Sequence, residues 1–290
     1  MKDLSIIIVT INNKKILSEC LRSIYKSTRK ITFEIIVSDN ASTDGSQAMV
    51  RMDFPEVKLI ENQENLGFSK ANNLGLRAAN AHYSMLLNDD TIIKDGALDT
   101  LVNFMNKTPK AGACGPKIFN TDGTLQHQGG LLSKKFWQSN IPTTVEFVIG
   151  AALLVRQEVI NQVGLMDENL FFYNDDLDWC MSIRKARPGP NGTGAGWKIF
   201  FVPAAEIIHY GGFSSKKTFN HKLFIEGFRG GLYFCRKHYG EFAYNVYRCF
   251  LILFLILFLP FFILNPTKFF AHSDIIMLAA RGQIPKPMVK

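Results

Sequence analysis

Between residues 4 and 87 the chain alternates short apolar runs with amphipathic stretches, a pattern that few folds accept. Leu4–Thr10 (LSIIIVT), Phe33–Ser38 (FEIIVS), Val57–Ile60 and Tyr83–Leu87 (YSMLL) are apolar, largely β-branched runs of strand length. Residues 14–27 place Ile16, Leu17, Cys20, Leu21 and Ile24 on one helical face, and residues 44–52 and 68–80 predict two more helices. A βαβαβαβ order implies a mostly parallel, right-handed sheet with helices on both faces. Ligands of such sheets bind at the carboxyl ends of the strands. Here those ends carry Thr10, Asp39-Asn40 and Asn88-Asp89-Asp90, so polar groups stand where the architecture expects a site.

The pattern then turns mixed. A helix is expected near 94–107, and Val145–Val155 (VEFVIGAALLV) reads as one long strand. A further helix should start near Asp176, and Trp197–Val202 (WKIFFV) is another strand. A Gly-rich turn (Gln128-Gly-Gly130) and a breaker-rich loop, Arg187–Gly196, punctuate this half. The loop is placed to order over a bound ligand as a lid. Its Asn191-Gly-Thr193 matches a glycosylation sequon, which means nothing in a cytoplasmic chain.

A hydrophobic share of 47% with 20% charged residues excludes a disordered or low-complexity chain. Five scattered cysteines without a CxxC pair argue against a disulfide scaffold or structural zinc. The N-terminal apolar run is too short for a signal peptide, so the catalytic part is expected in the cytoplasm. The net charge of +8 is wholly C-terminal: residues 210–290 hold 11 Lys or Arg against 3 Asp or Glu, and the remaining 22 of each sign cancel. That excess borders Cys249–Leu264, 16 residues of almost unbroken Leu, Ile and Phe. Basic charge beside such a run points to an anionic membrane surface and away from nucleic acid. The run falls short of the ~20 residues of a spanning helix. Extended back to Phe242 it reaches 23 residues, includes Asn245 and Arg248, and meets a kink at Pro260. A re-entrant, in-plane or spanning segment is expected, with a buried core helix as the alternative.

No GxxxxGK[ST] is present and no GxGxxG follows the first strand, which disfavours P-loop enzymes and ordinary dinucleotide dehydrogenases. Asp39–Ser46 (DNASTDGS) could accept a hydrogen bond from a base, although the same residues suit a helix cap. Adjacent acids in Leu86–Thr91 (LLNDDT) repel each other unless a cation or hydrogen bonds compensate, which suits a hard divalent ion. Asn174–Trp179 (NDDLDW) is a second acidic cluster, able to open a helix or to supply a general base. His209 follows a strand and could ligate a metal.

The order of these pieces is more specific than any one of them. A strand ending VT-x-N, then DNASTDGS, NLGFSKANNLG, LLNDDT, a GA-x-LL-x-R strand, MDExLFFYNDDLDW and WKIFFVPxAxIIHYGG together resemble glycosyltransferase family 2, in particular its bacterial rhamnosyltransferase-like branch. The likeness covers about residues 4–240. It implies an α/β chain of GT-A type: a Rossmann-like, mostly parallel sheet, a mixed acceptor-side half and a C-terminal helical, membrane-associating extension. The catalytic domain would then be residues 1–240 and the membrane-associating segment 241–290.

By that resemblance Thr10, Asn12 and Asp39 line the base and ribose pocket, and Asn65, Gly67, Lys70 and Asn73 contact the nucleotide or shape that pocket. Asn88-Asp89-Asp90 takes the DXD position. Asp90 and His209 then ligate Mg²⁺ or Mn²⁺ beside the diphosphate. Asn88 replaces the first acid and Asp89 stands where proline is common. Asp176 aligns with the base and Asp175 is its alternate, where Glu is usual. The implied reaction is inverting transfer of rhamnose from dTDP-rhamnose, or of a hexose from a UDP-sugar. The implied acceptor is lipid-linked or a saccharide, in polysaccharide or lipopolysaccharide synthesis at the cytoplasmic face of a bacterial inner membrane. A sugar-phosphate nucleotidyltransferase would need a Gly-rich basic loop after the first strand, which Thr10–Lys15 does not supply, and an inactive scaffold would not need the acids.

Overall fold

The computed structural model describes residues 1–128, 135–187, 194, 196–211, 220–263, 265–282, 284 and 287. The expected glycine turn at 129–130, most of the expected lid with its sequon, and Gly212 lie outside the described residues.

β1 (Lys2–Thr10) is the strand around which the first half forms. It pairs in parallel with β2 (Phe33–Asp39) on one side and β4 (Ala81–Asn88) on the other, and β3 (Lys58–Glu61) extends β2. Alternate residues of β1 feed different layers. Leu4, Ile6 and Ile8 pack with Leu17, Leu21 and Ile24 of α1 (Lys14–Ser27), Val50 of α2 (Ser46–Asp53) and Leu101 of α4 (Ala97–Lys107). Ile7 turns to the opposite layer, with Leu76 of α3 (Gly67–Ala78), Ile160 of α5 (Gln157–Val163) and Trp179 of α6 (Asp175–Lys185). Burial on both faces is why LSIIIVT carries no polar alternation; each such side chain stabilises the fold by about 1.5–3 kcal/mol.

The second half is mixed. β8 (Ala152–Arg156) runs antiparallel between β4 and β6 (Ala111–Phe119), and β9 (Lys198–His209) lies parallel to β6. The outer edge of β9 is shared by two short antiparallel strands, β7 (Thr143–Val145) on residues 199–201 and β5 (Thr91–Ile93) on residues 207–209. The expected long strand at 145–155 is therefore two strands in different places. Its apolar run is continuous, yet residues 146–151 leave the sheet so that Gly150 can approach Phe68 and Asp176.

The last helices form a bundle of their own. α7 (His221–Phe258) breaks at Gly240, whose φ of 83° and ψ of 179° are not helical. α8 (Pro266–Ala280) follows a short 3₁₀ turn. Phe224 and Phe262 both meet the His272 ring, tilted at 5.4 Å and stacked at 4.2 Å between centroids. A straight helix would hold those two phenylalanines ~57 Å apart, so the chain doubles back at Gly240. Residues 221–239 and 241–258 then run side by side with α8, around Ile225, Leu232, Tyr244, Leu251, Ile275 and Ala279.

Gly75 sets the distance between α3 and β1: a Cβ there would collide with the side chain of Ile7. Gly75→Ala is expected to lower stability by about 1–3 kcal/mol through overpacking, despite its better helix propensity, read as a lower urea midpoint by tryptophan fluorescence.

Candidate active site

The carboxyl ends of β1, β2, β4 and β9 converge, and the expected residues fall there in two groups. In the first, the Asp89 Oδ2 accepts from Thr10 Oγ1 at 2.6 Å and from Asn13 Nδ2 at 3.0 Å. Desolvation pushes the Asp89 carboxyl up to about 6, against the pull of those two donors. Asp89 thus ties β1 to β4. Beside it, Asp90 Oδ1 lies 3.0 Å from His209 Nε2, and Asn88 Nδ2 lies 3.2 Å from the same nitrogen. β5 delivers this meeting, because Thr91 and His209 are paired in its register with β9.

The far side of the His209 ring is held by Gln126, whose Oε1 accepts from Nδ1 at 2.7 Å. Gln126 is itself oriented by its Nε2, which donates to Asn120 Oδ1 at 3.1 Å. With the Nδ1 proton so placed, Nε2 is the atom free to ligate. Two ligands at right angles and about 2.1 Å from one ion lie about 3.0 Å apart. Asp90 and His209 therefore fit a small divalent cation. Among the described residues no three His, Cys, Asp or Glu side chains converge. The protein offers a pair, leaving positions for phosphate oxygens and water, as Mg²⁺ commonly requires.

The second group surrounds Asp39, which is fully buried. Its Oδ1 accepts from Ser42 N at 2.8 Å and Gln47 Nε2 at 2.7 Å, whereas Oδ2 is buried without a donor. An unmatched carboxylate oxygen is costly, and a base N–H would satisfy it. Asn12, at φ 52°, accepts from Thr43 N at 2.7 Å and donates its own N–H to Ser42 Oγ at 2.9 Å. The β1 and β2 loops are thereby sewn together.

Three of the expected pocket residues have structural duties. Asn65 Oδ1 accepts from Asn40 Nδ2 and from Gly67 N. Gly67 has φ +77° and would put a Cβ 2.5 Å from the Phe171 ring. Asn73 is buried and clamps residues 166–168, exchanging hydrogen bonds with Met166 N and O and donating to Glu168 Oε1. Lys70, one turn earlier on α3, is exposed.

Asp175 and Asp176 open α6 after Tyr173 and Asn174, both left-handed at φ 66° and 63°. Asp176 accepts from Gly150 N at 2.9 Å and Leu177 N at 2.7 Å, bonds that favour its ionised form. Asp175 Oδ2 is buried without a partner. Burial, and then the charge of Asp176, push the Asp175 carboxyl up to about 8; burial also raises Asp176. Asp175 is therefore held toward its protonated form, whereas the two amides on Asp176 oppose the effect of its burial. Asn88 N donates to Ala151 O at 3.0 Å while the adjacent Gly150 N holds Asp176. The segment 149–151 thus joins the two acidic clusters. Asn13 and Gln126 were not legible as site residues, because neither stands in a motif; Asn40 was visible at the end of the second strand but not its bonds to Asn65 and Gly67, and Gly150 only as the glycine of GA-x-LL.

Residues 5–164, more than half of the chain, match the family model described as glycosyl transferase family 2. The chain is 29% identical over 242 residues to the N-acetylglucosaminyl-diphospho-decaprenol L-rhamnosyltransferase of Mycobacterium tuberculosis, spanning 71% of this chain and 76% of that protein. In fold it is similar to S. aureus TarS 1-349 in complex with UDP-GlcNAc, with a TM-score of 0.59 and 17% identity, covering 98% of this chain and 82% of that one. It is also similar to GalNAc-T7 with UDP, GalNAc and Mn²⁺, at a TM-score of 0.58 and 18% identity, over 72% of this chain but only 43% of that one.

A carboxyl whose pKa rises on folding stabilises the fold most below its unfolded value of 3.8, and that contribution drains away as pH climbs through about 8. Asp175→Asn does not titrate. Its stability relative to the native chain is therefore expected to grow between about pH 5 and pH 8, by up to about 1.4 kcal/mol per unit. Urea midpoints of both proteins across that range check the slope.

Proposed function

The chain belongs to glycosyl transferase family 2 and is a nucleotide-sugar-dependent glycosyltransferase, and from that premise we propose an inverting, metal-assisted transfer to a lipid-linked or saccharide acceptor. The observation that carries the reading is the 149–151 segment, which holds the Asp176 carboxylate next to the Asn88–Asp90 and His209 cluster. Asp176 is the base: it takes the proton of an acceptor hydroxyl as that oxygen attacks the anomeric carbon. The bond from that carbon to the diphosphate breaks on the opposite face, so one displacement inverts the configuration. Asp90 and His209 hold Mg²⁺ or Mn²⁺, which when bound neutralises charge on the departing diphosphate. Thr10, Asn12 and Asp39 take the base and ribose, with the free Asp39 oxygen facing a donor on the base. Asn65, Gly67 and Asn73 shape the pocket wall through the contacts described above, and Lys70 and Asn88 stand near the phosphates. Asp89 braces Thr10.

The M. tuberculosis relative is named for L-rhamnosyl transfer to a diphospho-decaprenol sugar. That supports dTDP-rhamnose as donor, with UDP-hexoses as rivals, and an acceptor carried on lipid at the cytoplasmic leaflet for cell-surface polysaccharide synthesis. Residues 1–240 form the catalytic unit and 241–290 the membrane-associating segment, a division that coincides with the break at Gly240.

Release of nucleoside diphosphate from a panel of UDP-, dTDP- and GDP-sugars, with Mn²⁺, Mg²⁺ or EDTA and membrane extract as acceptor source, tests the reading. Turnover is expected with one donor and abolished by EDTA. Asp176→Asn should cost about 10²–10⁴ in kcat, the usual worth of a general base, and Asp175→Asn about tenfold or less. The reverse ranking would move the base to Asp175, and EDTA-resistant turnover would remove the metal.

A further inference from the structure

We infer that the C-terminal apolar run lies in one leaflet without crossing it: residues 241–280 form an in-plane anchor for an anionic bilayer, and α8 ends on the side of the catalytic unit. This rests on the reading of a membrane-borne acceptor and adds the topology.

By length and composition alone, residues 221–262 would pass as one spanning helix. The fold excludes it. After the reversal at Gly240, the apolar half of α7 lies against its polar half: Tyr244 receives the Arg236 guanidinium over its ring at 5.6 Å, and Gly231 approaches the Tyr247 hydroxyl. That polar half is bolted to the catalytic unit. Arg229 and Glu226, both buried, pair at 2.8 Å, and Arg229 Nη2 donates to Asn169 O at 2.6 Å. Lys237 reaches Asp167 at 2.7 Å and Asp178 at 2.8 Å, and His238 reaches Asp178 at 2.8 Å. Asn174, the residue before the catalytic acids, donates to Gly227 O at 2.9 Å. Crossing the bilayer would require these charges to enter hydrocarbon or the three-helix core to open, and both are costly.

What remains for the lipid is an outward face. Phe242, Val246, Phe250, Leu253, Leu257 and Phe261 are all more than half exposed and recur at helical spacing along one side. Soluble monomers rarely expose so large a contiguous apolar surface. The charge beside it selects the partner. Glu241 and Asp274 are taken by Arg236 and His221, whereas Lys268 and Arg248 form no ion pair among the described residues, Arg248 lying over the Tyr244 ring at 5.6 Å. An apolar face flanked by uncompensated cations matches a leaflet rich in anionic headgroups.

Cys249 lies on that face and is exposed, and Arg281 is exposed at the end of α8. The test is site-resolved labelling of the full chain by a membrane-impermeant maleimide. The protein is added, without donor or acceptor, to the outside of sealed vesicles containing phosphatidylglycerol. Cys249 should lose reactivity by about tenfold on the vesicles, as exposure governs thiol labelling, while an Arg281→Cys variant keeps its full rate. Protection of the Arg281→Cys thiol until detergent is added would mean a spanning segment and overturn the inference. Cys249 equally reactive with and without vesicles, or protected by raising protein concentration in their absence, would overturn it too, the latter in favour of a second copy of the chain. Neither readout needs turnover, so failure here leaves the glycosyltransfer reading standing, and loss of turnover leaves the topology standing.

Discussion

Two neighbouring backbone groups hold the candidate site together. The carbonyl of Ala151 takes the amide of Asn88, and the amide of Gly150 takes the carboxylate of Asp176. Everything else at the site is arranged around that joint: the strand ends deliver Asn88 and Asp90 from one side, and α6 delivers Asp175 and Asp176 from the other. The Asn88–Ala151 half of the link is main chain to main chain and depends on no rotamer; the other half is the Asp176 side chain. A Cβ at residue 150 would lie 3.2 Å from the Phe68 ring, so a larger residue at the joint requires that ring to give way.

The parallel half was legible because its signal is repeated: four buried runs, three amphipathic stretches, and polar residues at each strand end. The mixed half was less so. Continuous apolarity cannot distinguish one long strand from two separate ones, and Val145–Val155 was misread for that reason. Among site residues, acids and histidine announced themselves by charge repulsion and position. Gln126, which aims His209, did not, since an amide in a loop has no periodicity; Asn40 stood out at the end of β2, but its hold on Asn65 and Gly67 did not. Nor could sequence foresee that Asn73 spends its amide on residues 166–168, because that depends on which segment lies opposite.

The two carboxylates of α6 illustrate how environment differentiates identical side chains. Each is buried and each is raised, but Asp176 is met by two amides and Asp175 has an oxygen met by none. Burial disfavours the anion in both, but the amides oppose it at Asp176 and much less at Asp175, within one turn of a single helix. The polar half of α7 packs against this same turn through Asn174 and Asp178, so the helix that carries the acids and the helix that opens the C-terminal bundle share hydrogen bonds.

The sheet's borders complete the picture. At one margin β3 is only four residues long, and at the other β5 and β7 cover the two ends of β9 with three residues each. Long, flat, unpaired strands are what template edge-to-edge stacking between molecules. Among the described residues the nine-stranded sheet ends in such fragments. A chain that already displays one broad apolar face in its last helices therefore keeps its other route to aggregation closed.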